Sequence, residues 1–204
     1  HRSEILKLQG RWSDSLAEAG LALDKSPEGL GAAQAHLQQA NVHRLWGEEV
    51  LAEAAYRRAG AMGGNPQPGL ALLRLAQGNH DAAVASIRRA VAEAVDPLPR
   101  LRLLPAFVEI MVETGHLVAA REAAEEMTTI SDQTRIGAHE ASAAHGRGLV
   151  ELAENRAMEA IADLRGAARR WQDLGMPYEL ARSRVAMAEA LRGLGDEDAA
   201  RIEL

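Results

Sequence analysis

A small residue recurs at a fixed distance behind each of six turn residues, and this register constrains the fold more than any other feature of the chain. Gly10 is followed by Trp12, Ser15, Ala19 and Ala22, with Pro27 closing the unit. Gly47 is followed by Ala52, Tyr56 and Ala59, Gly78 by Ala83, Ile87 and Ala90, and Gly115 by Ala120, Ala124 and Met127. Asn155 takes the turn position of a fifth unit, ahead of Ala160, Leu164 and Ala167, and Gly195 opens a sixth with Ala200 and Leu204. The turn residues lie 37, 31, 37, 40 and 40 apart. A tight turn between helices needs a residue that tolerates positive φ, which glycine does freely and asparagine next most readily. The small residues mark helix crossings, where a larger side chain would push the helices apart. The bulky residue between them fills the space against the next pair.

Composition says which element is repeated. Hydrophobic residues make up 47% of the 204 but aromatics only 3%, so Ala and Leu, both strong helix formers, supply most of the apolar surface. Breakers fall between the units: Asp24-Lys25-Ser26-Pro27, the stretch from Gly60 to Pro68, Asp96-Pro97-Leu98-Pro99, and Met176-Pro177. Pro105 falls inside the first helix of the fourth unit and predicts that this helix starts late or kinks. The pattern resembles tetratricopeptide repeats. It predicts an all-α, right-handed superhelix of about six hairpins in one domain over 1–204, with units near 1–27, 31–64, 67–96, 99–131, 133–175 and 177–204. The short stretches before Gly10 and after Gly195 make both ends look cut within repeats, so a longer parent protein is expected.

Charge and chemistry narrow the function. The net charge of −6 offers no field towards nucleic acid, and Arg88-Arg89 and Arg169-Arg170 are too short for a basic stripe, so direct DNA contact is not expected. There are no cysteines, which excludes disulfides and thiolate chemistry, and no apolar run long enough for a membrane span. A cytoplasmic protein is expected. Gly60-Ala61-Met62-Gly63-Gly64-Asn65 lacks the Lys-Ser/Thr ending of a phosphate loop. His36 and His43 lie seven apart and His139 and His145 six apart, with no carboxylate at ligand spacing beside them. Glu109 and Glu113 share a helix face as mutually repelling, solvated charges. No serine has an evident activating His and Asp, so neither catalysis nor a cofactor is expected.

Recognition is what such a shape can offer. In repeat solenoids the first helix of each hairpin usually lines a concave groove. Register places Asn41 and Arg44 there in the second unit, Arg102 and Glu109 in the fourth, His145 in the fifth, and Arg182 and Glu189 in the sixth. Leu37, Leu45, Leu72, Leu149 and Leu152 would line the rest. A protein, peptide or small effector is expected in this groove, and self-association into a homodimer through open terminal hairpins. Of the Lys, Arg and paired Asn residues of the chaperone-tail clamp, only Asn41 has a match, which disfavours chaperone binding.

Longer phrases narrow the family. The segments running from His1 to Gly10, from Pro66 to Gly78 and from Leu103 to Met111, with Pro177-Tyr178-Glu179, Ala181-Arg182-Ser183-Arg184 and Gly195-Asp196, resemble the helical-repeat region of actinobacterial LuxR-family transcriptional regulators. That resemblance implies further repeats upstream and a helix-turn-helix domain beyond Leu204 that binds DNA, with the repeats sensing a signal or binding a partner. The alternative is a general protein-interaction scaffold unconnected with transcription. Residues after Leu204 would separate the two.

Overall fold

The computed structural model describes residues 2–204; His1, which opens the first unit and the first resembling phrase, lies outside them. Among the described residues every regular element is a helix: α1 Arg2–Leu8, α2 Trp12–Lys25, α3 Gly29–Leu45, α4 Glu49–Ala61, α5 Gly69–Ala76, α6 His80–Glu93, α7 Pro97–Glu113, α8 Leu117–Thr134, α9 Gly137–Ala153, α10 Ala157–Asp173, α11 Pro177–Gly193 and α12 Glu197–Glu203. They pair into six hairpins whose turns sit at the expected residues. Gly10, Gly47, Gly78, Gly115 and Gly195 all have φ between 72° and 80°, and Asn155 has φ 60°.

One hydrogen-bond pattern closes all six turns. In the fourth hairpin Gly115 N–H donates to Val112 C=O at 3.1 Å and His116 N–H to Met111 C=O at 2.8 Å. In the fifth, Asn155 N–H reaches Leu152 C=O at 3.0 Å and Arg156 N–H reaches Glu151 C=O at 2.8 Å. These two bonds satisfy the last carbonyls of the first helix. The residue after the turn then starts the second helix, accepting from the backbone N–H four positions on: Ala120 bonds to His116 and Ala160 to Arg156. That next residue is the small one of the register. Ser15, Ala52, Ala83, Ala120, Ala160 and Ala200 are all at 0% exposure, as a close helix crossing requires.

The register fails at two later positions. Ala22 is exposed, because α1 has only seven residues and cannot run alongside the far end of α2. Leu204, at the position filled by buried Tyr56, Ile87 and Leu164 elsewhere, is 64% exposed. Some boundaries also move. The helix containing Pro105 does not start late: Pro97 occupies its first position, after Asp96 in an extended conformation, where a missing N–H costs nothing. Helix α8 runs on to Thr134 and ends on Arg135 at φ 51°, a left-handed residue with no glycine to announce it.

The chain divides into two compact units, residues 1–87 and 88–204, with the division falling inside α6. In the first unit α3 packs on α4, and both α1 and α5 touch α3. Its core joins Leu37, Ala40, Ala52, Ala55, Tyr56, Ala59 and Leu73. Ser3 and Ser15 lock α1 to α2: each hydroxyl lies 2.8 Å from the other residue's carbonyl oxygen. Trp12 and Trp46 meet edge to face at 6.4 Å.

In the second unit α7, α9 and α11 form a row of first helices that touch one another, with α8, α10 and α12 behind them. Glycine in mid-helix costs about 1 kcal/mol against alanine, yet α9 carries Gly148 there. A Cβ on Gly148 would sit 2.6 Å from Leu164 Cγ, so its absence lets α10 close on α9. Ala160, Ile161 and Leu164 then pack under Ala186, Met187 and Ala190 of α11. Trp171 fills the other end of the same layer with Ala141, Ala144 and Ala167.

Candidate functional site

The seven groove candidates meet different fates. Asn41 is spent inside the first unit: its Oδ1 accepts from Tyr56 Oη at 2.7 Å, and the pair lies on the backbone of α5 at Gly69. A Cβ on Gly69 would stand 2.1 Å from Tyr56 Oη and 2.6 Å from Asn41 Oδ1, so this contact joins neighbouring hairpins and offers nothing to a ligand. Burial pushes the Tyr56 hydroxyl pKa up, opposed by the nearby Arg44 guanidinium, whose own Nε is buried without a partner. Arg102 and Glu189 stand exposed on α7 and α11. Three of the five leucines expected along the groove turn inward. Leu37 is only 9% exposed and belongs to the first unit's core, while Leu149 and Leu152 pack on the Ala160–Met187 cluster.

The remaining three converge. Glu109 on α7, His145 on α9 and Arg182 on α11 come together across the row of first helices in the second unit. Arg182 Nη2 donates to a Glu109 carboxylate oxygen at 2.5 Å, joining residues 73 apart in sequence on helices two hairpins apart. Its Nη1 donates to Glu179 at 3.2 Å, one turn earlier on α11, and its guanidinium lies 5.8 Å from the Tyr178 ring centre. Burial works against the charge on the guanidinium, but the carboxylates of Glu109 and Glu179 together outweigh it and raise its pKa.

His145, partly buried on α9, is close enough to feel the Arg182 charge. Its Nδ1 is 2.9 Å from Ser183 Oγ, and Ser183 Oγ donates to the Glu179 carbonyl at 3.0 Å. A hydroxyl has one proton. Ser183 donates its one hydrogen to the Glu179 backbone carbonyl, so it accepts from His145 Nδ1–H, and the imidazole is the Nδ1-protonated tautomer. Nε2 is therefore a bare acceptor, and it is buried with no partner. Burial first, and then the positive charge of Arg182, lower the His145 pKa to about 3. The same proton count shows that Ser183 is no nucleophile. It is fully buried, its proton faces a carbonyl, and the imidazole nitrogen beside it already carries a hydrogen.

Tyr178, Glu179 and Ser183 complete the cluster and were missed by register reasoning. The i−3 spacing of Glu179 to Arg182 and the i+1 position of Ser183 were visible, but their convergence with α7 and α9 was not. A separate polar knot lies behind the row. Arg147 grips Asp163 through two nitrogens at 2.8 and 2.7 Å and donates to Thr128 Oγ1 at 2.9 Å, tying α9 to α10 and α8. Glu151, beside it, has its pKa raised chiefly by burial. Among the described residues no group of His, Asp and Glu is placed to hold a metal ion, and no helix is long and apolar enough to cross a membrane.

Within each unit, consecutive helices pack into hairpins and contacts pass from one hairpin to the next, the packing of a helical-repeat protein. A solved structure described as BtubC (BKLC) from P. vanneervenii is similar in fold, with a TM-score of 0.60 at 17% identity over 97% of this chain and 87% of that one. No family model and no curated protein matches the sequence.

Proposed function

We propose that this chain is the recognition module of a larger cytoplasmic regulator of the LuxR type, and that it binds a protein or small effector along α7, α9 and α11. In this reading residues 1–204 neither touch DNA nor catalyse a reaction, and a helix-turn-helix domain in the parent protein carries the signal to a promoter. The observation that carries the binding site is the convergence of Glu109, His145 and Arg182 from three successive first helices, with one imidazole nitrogen left unsatisfied. Buried polar atoms are almost always paired, so an orphan among charged neighbours is a mark of a functional surface. Support for the LuxR setting is the resemblance of the repeat phrases alone.

Two measurements test this. Fluorescence anisotropy with promoter DNA should show no sequence-dependent binding by residues 1–204 at physiological salt, and tight specific binding would move the DNA-reading surface into this domain. In the full-length parent, Arg182→Glu should uncouple promoter output from the signal, while Arg58→Glu, at an exposed position on α4, leaves it unchanged. Equal output from both variants would remove the site from α7, α9 and α11, and a parent without a helix-turn-helix domain would favour a scaffold unconnected with transcription.

A further inference from the structure

We infer that the outer faces of α8 and α10 form the contact between two copies of this chain, with Arg165 and Arg169 of one copy set against Glu122 and Glu125 of the other. The inference concerns the helices behind the row of first helices and goes beyond the function proposed above.

Exposure and pairing single out these faces. Most arginines of the second unit are held by carboxylates of their own chain, Arg100, Arg121, Arg147, Arg170, Arg182 and Arg184 among them. Arg165 and Arg169 stand exposed on α10 without such a partner among the described residues, and so do Glu122 and Glu125 on α8. Each pair carries like charges three or four residues apart on one helix, an arrangement that repels mildly until a counter-charge arrives from outside. Each face also begins with a large apolar side chain left in water. Val118 on α8 is 68% exposed and Met158 on α10 is 67% exposed, and their spacing puts them on the same stripes as the charges.

The two faces match in position as well as in sign. Val118 and Met158 each stand three residues after their turn residues, Gly115 and Asn155, and Glu125 and Arg165 each stand ten after. Both α8 and α10 pack antiparallel on α9, so they point the same way. A two-fold axis running midway between them and parallel to both sets α8 of one copy along α10 of the other at equal height. Val118 then meets Met158, and Arg165 meets Glu125 with Glu122 one turn before it. Arg169, one turn further on, reaches back to Glu125. Two-fold symmetry makes every one of these contacts twice. An acidic helix of another protein would satisfy α10 and leave α8 bare, and a basic one the reverse. A second copy satisfies both. Two helix faces about 25 Å long bury on the order of 1,000 Å² in all, the size of a transient interface. The dimer is therefore weak and reversible.

Sedimentation velocity on residues 1–204 over a concentration series tests this, with circular dichroism checking that the variants remain helical. The wild type should pass from 21.9 kDa to twice that mass as concentration rises through the micromolar range. Arg165→Glu with Arg169→Glu sets two acidic faces together, and Glu122→Arg with Glu125→Arg sets two basic ones together, so each double variant alone should stay monomeric. Mixed in equal amounts the two should dimerise, because α8 of either variant then meets an α10 of opposite sign. Each pair of reversals moves the net charge of −6 by four, so both variants remain acidic and bulk attraction does not account for the rescue. A wild type that stays monomeric throughout overturns the inference. A dimer that persists in either double variant overturns it as well, by placing the contact on another surface such as the open terminal hairpins. So does a mixture that stays monomeric, since the charges would then not be meeting each other across the two copies.

Discussion

The two units solve the same packing problem with different chemistry. Residues 1–87 carry eight basic and nine acidic side chains, whereas residues 88–204 carry fifteen and twenty. In the first unit helices are joined mainly by close approach: the reciprocal Ser3–Ser15 bonds, the Tyr56–Asn41 pair lying on Gly69, and the two tryptophans. The Arg74–Glu53 fork between α5 and α4 is its strongest ionic tie. In the second unit every hairpin has an ion pair across it, Arg100–Glu126, Arg147–Asp163 with Arg170–Glu140, and Arg184–Glu203, and Arg182–Glu109 links α11 to α7. Arg100 in addition donates to the carbonyls of Val91 and Ala94 at 2.7 and 3.0 Å, closing the end of α6. A unit built on steric fit resists salt and pH but has little tolerance for added atoms. One built on charge has the opposite sensitivities.

The largest expected effect probes the sterically built unit. Tyr56 is 2% exposed, and Tyr56→Ala should cost about 3–5 kcal/mol. Hydrogen exchange should show the loss in α3, α4 and α5. Loss of protection spread evenly over both units would show that they unfold as one. Ala52→Leu in the first unit and Ala160→Leu in the second should each cost about 1–3 kcal/mol by overpacking a crossing that has no free space, as read from urea midpoints.

Acid should separate the units next. The folded His145 pKa is about 3 against 6.5 for an unperturbed imidazole. Between these values the unfolded chain holds a proton that the folded chain does not. Stability is therefore fully present above about pH 6.5, falls as pH drops, and levels off near pH 3. Between pH 7 and pH 5 the loss from this one group is about 2 kcal/mol. Urea unfolding of the wild type and His145→Gln at the two pH values measures it, and an unchanged pH dependence in the variant would refute the assignment.

Smaller effects follow on the ionic surface. Glu109→Gln leaves Arg182 with Glu179 as its carboxylate partner and should cost about 1 kcal/mol, less at high salt. Arg102→Glu and Glu189→Lys, both exposed, should shift stability within about 0.5 kcal/mol.

These contrasts mark how far the sequence could be read. The hairpins were legible because positive φ leaves a signature in residue type: glycine or asparagine stands at every one of the six turns. The end of α8 was not, because Arg135 adopts the same conformation without that signature. The site was legible only as a face. Asn41 and Glu109 both stand six residues before their turns, and Arg102 and Arg182 both stand thirteen before theirs. Yet Asn41 is tied to Tyr56 while Glu109 bridges to Arg182, and Arg102 is exposed while Arg182 is held by two carboxylates. Register fixes which side of a helix a residue occupies. Its partner depends on what the adjacent hairpins place opposite it, and no local pattern carries that information.

The turns have a consequence for how such a chain changes over evolutionary time. Spacing between them drifts from 31 to 40 residues, but the two-bond closure and the buried small residue five positions on do not vary. The length variation is absorbed elsewhere, in α5 with its eight residues, α8 with its eighteen, α10 with its seventeen and the connections between hairpins. Each hairpin is thus a cassette with standard joints. Duplication, loss or lengthening of one leaves the geometry of the others' joints intact, so the row of first helices can be recomposed residue by residue while the joints that carry it are inherited unchanged.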